Sequence, residues 1–258
     1  MEDFFCDVKC VAFDLDGTIY AGNQIINGAL ELISEVKKKQ WKIFYITNNS
    51  SLSRAQVYLK LKKFGLELEE NDVINSAFAM SQYLVENQYH DIYCIGSAAF
   101  LEQIAEYGIN VKSKDPAAIV VGYDPEYNLK KLEDVINIYK SHCKIIAANL
   151  ERTYLNSNDI LSPGVGVIVK SLEFALNREI DYFIGKPNRL MLDMLVAGYN
   201  YMPHEILVVG DTFDIDILMA DSYGAKSIFI NRYGEELMAN NCVSVNNLFE
   251  LIKMLRSK

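Results

Sequence analysis

The chain has 258 residues, half of them hydrophobic and 23% charged, with 34 acidic against 25 basic side chains and a formal net charge of −9. That balance repels a polyphosphate backbone, which argues against a nucleic-acid binder, and no run approaches the roughly 18 apolar residues of a membrane span. One large or two small folded domains are expected.

The five cysteines, Cys6, Cys10, Cys94, Cys143 and Cys242, are odd in number and lack a close Cys-x-x-Cys pair. A disulfide framework or structural zinc site is therefore disfavoured, and buried reduced thiols are expected. The N-terminal MEDFFCDVKCVAF starts acidic and has only a short apolar segment, unlike a secretory signal, so a cytoplasmic protein is expected.

In chain order, short apolar runs rich in Val, Ile and aromatics predict strands at 9–13, 42–46, 92–95, 118–121, 144–148, 182–184, 206–209 and 226–230. Between the first two, residues 28–39 read as a helix with Leu30, Ile33 and Val36 on its core face. Residues 53–64 read likewise, with Val57, Leu61 and Phe64 inward. The alternation predicts an α/β fold with a Rossmann-like parallel sheet covered by helices. No repeat or low-complexity tract interrupts it.

Three apolar runs end abruptly in polar residues: VAFDLDGT, FYITNNS and LVVGDTFD. In an open parallel sheet the carboxyl ends of the strands line the ligand crevice, so Asp14, Thr47 and Asp211 should be neighbours. GKPNRLML, after the apolar DYFI, could bring Lys186 to the same place. Asp14 and Asp16, two residues apart after a buried strand, let Leu15 point back into the core, while Gly17 permits the turn. With Asp211 they form an oxygen-only set that suits Mg2+, a hard cation that shares its positions with water and phosphate.

Each fragment alone has a plainer reading. DxDG can be a solvated turn, Ser50, Ser51 and Ser53 can cap a helix, GKPN can be an exposed turn, and GDTFDID can be a strand end with Asp214 as helix cap. Their joint occurrence, each at the end of an apolar run, outweighs those readings.

DLDGTIY, TNNSS, GKP and GDTFDIDI, in that order, resemble the four motifs of the haloacid dehalogenase-like phosphohydrolases. IGSAAFLEQIAEYGI, VVGYDPEYNLKKL and SPGVG are similar to the NagD-like, 4-nitrophenyl phosphatase subfamily with its large α/β cap. The resemblance implies a catalytic core over 1–85 and 165–258 and an inserted specificity cap over 86–164. It implies an Mg2+-dependent phosphomonoester hydrolase acting on a small phosphorylated metabolite, and it allows a homodimer.

Residue by residue, the resemblance makes Asp14 the nucleophile that becomes an aspartyl-phosphate and Asp16 the general acid/base, its backbone carbonyl joining Asp14 and Asp211 on the metal. Thr47, Asn48, Asn49 and Lys186 hold the phosphoryl group, and Asp216 orients Lys186 or a metal water from behind. In AANLERTYLNSN, Asn149, Glu151 and Tyr154 face the leaving group, although Glu151 stands where Asp is usual and Leu155 near where proline is. IFINRYGEE also departs from the Thr-Gly strand ending of relatives, which leaves Asn231 and Arg232 without an assigned role.

Two other classes compete. A non-hydrolytic phosphometabolite sensor or phosphoacceptor module could use the same acidic pocket, but a receiver domain would be short and carry its acceptor after an earlier acidic pair. Carbon–halogen or carbon–phosphorus cleavage shares the nucleophile but would lack Asp16 or use a different cap.

Overall fold

The computed structural model describes residues 4–156, 160–236 and 238–257. Ser157 and Asn158, the last two residues of AANLERTYLNSN, lie outside them. The chain divides into two units: Met1–Thr47, Tyr58–Ile74 and Lys186–Lys258 form the first, and Asn48–Val57 with Asn75–Gly185 form the second.

The first unit is built on a six-stranded sheet. Its spatial order is Cys242–Val245, Lys226–Ile230, Ile206–Gly210, Cys10–Asp14, Lys42–Thr47 and Val73–Asn75. The strands from Cys242–Val245 through Lys42–Thr47 run parallel. The earliest strand in the chain lies inside the sheet, and the chain leaves it toward Lys42–Thr47 on one side while Ile206–Gly210 occupies the other. That reversal is the switch point at which a crevice opens beyond the strand ends. Every residue of Cys10–Asp14 and Ile206–Gly210 is buried, as expected of strands covered on both faces.

Helix Ala29–Lys38 carries Glu31 in its first turn and Lys37 and Lys38 in its last, complementing the helix dipole. Its buried stripe is Ala29, Leu32, Ile33 and Val36. Leu30, expected on that face, is 46% exposed. At about 100° per residue the stripe centred on Ala29, Leu32 and Ile33 turns Leu30 away. Helix Leu248–Arg256 buries Leu248, Leu251, Ile252 and Leu255, and its first turn is capped by Asn247, which accepts from the Glu250 N–H.

The second unit has its own four-stranded parallel sheet, in the order Tyr182–Phe183, Lys144–Ala147, Ala118–Val121 and Ile92–Ile95. Its core gathers Ile95, Ile119, Val121, Val135 and Ala147 with Val165, Ile168, Val169 and Leu172 of helix Val165–Leu176. Tyr182 pairs with Ile146 in the sheet and stacks on Tyr83 at 4.9 Å. These contacts draw helices Ser76–Glu86 and Val165–Leu176 into this unit, which therefore takes in more chain than the 86–164 span read from sequence.

Parallel strands and helices in both units make the chain α/β. None of the five cysteines forms a disulfide. Cys10, Cys94 and Cys143 are buried, but Cys6 is exposed and Cys242 half-buried, so the expected burial holds for three of them. Among the described residues, no helix is long and apolar enough to cross a membrane.

Candidate active site

In the first unit the strand Cys10–Asp14 delivers Asp14 to the end of the sheet. Asp14 pairs with Ile46 on one side, so Thr47, one residue further and buried, closes the neighbouring strand beside it. On the other side Phe13 pairs with Val209, and the strand ends at Gly210 just before Asp211. A Cβ on Gly210 would stand 2.3 Å from Cγ of Asp216, so the absence of a side chain there makes room for that carboxylate.

The turn after Asp14 is tight. The Leu15 carbonyl accepts from the N–H groups of Thr18, Ile19 and Tyr20, and Gly17 donates to the Tyr20 carbonyl at 2.7 Å. Gly17 has φ +88°, a conformation glycine adopts without the Cβ penalty. Leu15 is fully buried, as its position between two outward carboxylates requires.

Asp14, Asp211 and Asp216 each offer a carboxylate oxygen, and the three oxygens lie within 4.8 Å of one another. Lys186 donates to Oδ1 of Asp14 and, at 2.7 Å, to Oδ1 of Asp216. Asp216 is fixed from behind, because its Oδ2 accepts from the Thr212 N–H at 3.1 Å while its own N–H donates to the Thr212 carbonyl. Asp214 lies inside the π-helical turn Phe213–Ile217 rather than capping a helix. Arg232 donates to Oδ2 of Asp211 at 3.0 Å and to the Gly17 carbonyl.

Three carboxylates thus face two cations, which leaves the cluster one negative charge in excess. Burial holds the Asp14 carboxyl well above the usual carboxylate range; Lys186 opposes the rise, and Asp216 and Asp211 add to it. Burial and then Asp216 also raise Asp211, against Arg232 and Lys186. Burial works against the charge on Lys186, but Asp14 and Asp216 outweigh it and hold the ammonium above its ordinary value. Oδ2 of Asp14 and Oδ1 of Asp211 are buried and have no hydrogen-bond partner among the described residues. Buried polar atoms are nearly always paired, so two orphaned carboxylate oxygens in one negatively charged cluster mark a place for a cation. An all-oxygen donor set fits Mg2+.

The Asp16 carboxylate does not join that cluster. Its Oδ2 accepts from the Tyr20 hydroxyl at 2.9 Å, and Lys60 Nζ lies 3.7 Å from the Tyr20 ring centroid. Residue Asp16 is exposed, yet protein packed around its carboxyl raises it above its ordinary value; Lys60 and the Tyr20 hydroxyl oppose the rise. A carboxyl held above its ordinary value and open to water is placed to exchange protons.

Thr47 belongs to the first unit, whereas Asn48 and Asn49 belong to the second. There the Asn48 amide donates to Glu151 at 2.9 Å, and its carbonyl accepts from Asn149 and from Ser76, each at 2.8 Å. The Glu151 N–H donates to Oδ1 of Asn149, so Asn48, Asn149 and Glu151 form one network. Asn49 accepts from the N–H groups of Ser51 and Leu52. Ser53 and Gln56 form a reciprocal capping box at the start of Arg54–Lys63. The Tyr154 hydroxyl donates to that of Tyr123 at 2.7 Å, and burial raises the Tyr154 phenol to about 12.

Sequence reading gave no role to Arg232, Tyr20 or Lys60. Tyr20 stands inside the DLDGTIY motif, but its bond to Asp16 needs the turn geometry. Arg232 was visible only as a departure from the ordinary strand ending.

A family model described as haloacid dehalogenase-like hydrolase matches residues 11–110, and a second, HAD-hydrolase-like, matches 183–236. The human glycerol-3-phosphate phosphatase is 28% identical over 257 residues, covering 88% of this chain and 80% of that protein. The sugar-phosphatase AraL of Bacillus subtilis is 26% identical, covering 85% and 82%. Among solved structures, a 4-nitrophenylphosphatase from Thermotoga maritima superposes with a TM-score of 0.89 at 22% identity, covering 98% of this chain and 99% of that one. A Mycobacterium tuberculosis glycerol phosphate phosphatase in complex with magnesium gives 0.82 at 25% identity, covering 96% and 78%.

Proposed function

The chain belongs to the haloacid dehalogenase-like hydrolases, and from that premise we propose that it is an Mg2+-dependent phosphatase that hydrolyses a small phosphorylated metabolite through an aspartyl-phosphate. The observation that carries this reading is the buried, unpartnered Oδ2 of Asp14, held beside the Lys186 ammonium and two further carboxylates. A phosphomonoester and an anionic nucleophile repel one another, and the ammonium together with a cation removes that objection.

In the first displacement Asp14 attacks phosphorus, the bond from phosphorus to the leaving oxygen breaks, and Asp16 gives its proton to that oxygen. In the second, Asp16 takes a proton from water as the water oxygen attacks phosphorus. The bond to Asp14 then breaks, releasing phosphate and restoring the free carboxylate. Lys186 stays protonated throughout and counters charge on the transferring group, and Thr47 lies beside Asp14 to hold a phosphoryl oxygen. Asp14, Asp211 and the Asp16 carbonyl would hold Mg2+, with Asp216 orienting Lys186; the ion supplies charge neutralisation.

The second unit serves as the cap in this reading, with the Asn48–Asn149–Glu151 network, Asn49 and Tyr154 recognising the leaving group. Relatives named as glycerol-3-phosphate, sugar and phosphoglycolate phosphatases favour a small phosphorylated metabolite.

The test is phosphate release from 4-nitrophenyl phosphate and a panel of phosphorylated metabolites, with and without Mg2+. Asp14→Asn should lower turnover by roughly 10³-fold or more. Turnover retained by that variant rejects the nucleophile, and activity indifferent to chelation rejects the metal. Stoichiometric labelling of Asp14 that persists without phosphate release would favour the phosphoacceptor module.

A further inference from the structure

Arg232 lies outside the motifs yet reaches a carboxylate of the acidic cluster. It leaves the strand Lys226–Ile230 on a turn that is itself pinned. Asn231, buried, donates its N–H to the Val245 carbonyl and its amide to the Glu235 carbonyl, and its Oδ1 accepts from the Glu235 N–H. From this fixed base the guanidinium spreads its two terminal nitrogens between Oδ2 of Asp211 and the carbonyl of Gly17. Those acceptors follow adjacent strands, Ile206–Gly210 and Cys10–Asp14, so one side chain ties the start of the segment after Gly210, which carries Asp211, to the turn that follows Asp14.

The tie acts on one oxygen of Asp211 and leaves the other. With Oδ2 engaged, Oδ1 is left buried and unpartnered among the described residues, on a carboxylate that clusters with those of Asp14 and Asp216. A planar fork bridging two acceptors fixes direction as well as charge, which a flexible ammonium does not. We infer that Arg232 is a positioning residue that presents Asp211 Oδ1 to the cation and thereby sets the affinity of the site for Mg2+. The inference rests on the metal reading of the preceding subsection and deepens it.

Two other roles make different predictions. A guanidinium acting only as a resident counter-charge would compete with Mg2+, and its removal would tighten binding. A purely structural clamp would lower stability and leave affinity alone. The experiment is calorimetric titration of the full chain with MgCl2, well below the melting temperature, for wild type, Arg232→Ala and Arg232→Lys. Leu32→Ala, which truncates a fully buried side chain on the helix Ala29–Lys38, serves as a destabilised control. Both Arg232 variants should bind Mg2+ about 10-fold more weakly, in the range of losses seen when partners behind metal ligands are removed. The control should bind as wild type does. Arg232→Lys preserves charge, so its loss assigns the effect to the fork. Unchanged or tighter binding in Arg232→Ala, or full affinity in Arg232→Lys, overturns the inference. Absence of any Mg2+ heat in the wild type overturns the metal reading and this inference with it, whereas wild-type binding with unaffected variants overturns only the inference.

Discussion

Gly17 lies so close to Asp211 that a Cβ built on it would stand 2.2 Å from Oδ2 of that carboxylate. The residue also has φ +88°, where an L side chain costs about 1–2 kcal/mol. Gly17→Ala therefore strains the backbone and displaces a carboxylate of the acidic cluster. Melting temperature should fall, and Mg2+-dependent turnover should drop by more than about 10-fold. Steady-state kinetics across a magnesium titration measure this, and wild-type parameters in the variant would refute the claim of close packing.

How much of this arrangement was legible beforehand follows from chain distance. Asp14, Thr47 and Asp211 could be read because each ends a buried strand, and a parallel sheet gathers such ends whatever their separation. The strands Ile92–Ile95, Ala118–Val121 and Lys226–Ile230 were read with their exact limits. Val73–Asn75 and Cys242–Val245 were missed because three or four residues with polar members carry too little period to stand out. Arg232 was beyond reach for another reason: it meets Gly17 across 215 residues and Asp211 across 21, and no local pattern encodes a side chain's reach. The bond from Asn48 to Glu151, 103 residues apart, is of the same kind.

Lys186 is the only cation shared by Asp14 and Asp216 among the hydrogen bonds of the described residues. Its side chain is 2% exposed, and those of its partners are 9% and 1% exposed. Replacing one member of a buried ionic network strands the others, at a cost of about 3–5 kcal/mol. Lys186→Met should lose stability on that scale in urea unfolding of the chelated protein at neutral pH. Mg2+ should return part of it, because a ligand of the folded state stabilises by mass action. A loss below about 1 kcal/mol would mean that the ammonium is not the counter-charge on which these carboxylates depend.

Asn149 joins two stretches of the second unit through both ends of its amide, donating to the Asn48 carbonyl at 2.8 Å and accepting from the Glu151 N–H at 3.1 Å. Alanine removes both partners at a buried position. Leaving such groups unsatisfied costs about 1–3 kcal/mol, reduced here because Ser76 also donates to the Asn48 carbonyl. Asn149→Ala should thus be destabilised even without substrate, and Ser76→Ala in the same background should add to the loss. A fully stable Asn149→Ala would assign the residue to ligand contact alone.

The last relationship lies away from the cluster, where helix Leu248–Arg256 meets helix Ala29–Lys38. Arg256 donates to Glu35 at 2.6 Å and to Glu31 at 2.8 Å, and Lys38 donates to Glu35 at 2.9 Å. The hydrogen bond from Arg256, then that from Lys38, lowers the Glu35 carboxyl from 4.5 to about 2, while desolvation opposes. A carboxyl depressed in the folded state contributes stability that is fully present above its unfolded value, near 4.5, and is lost as pH falls toward about 2. Both cations are half exposed or more, so water screens the pairing and the contribution is modest. Glu35→Gln should therefore melt below wild type at neutral pH, and the gap should shrink as the pH is taken from about 4.5 to about 2, because the wild-type carboxyl loses its charge first in the unfolded chain and then in the folded one. Melting curves across that range, with salt held constant, decide the matter: a gap that stays constant to the acid end would show that Glu35 acts through packing rather than charge.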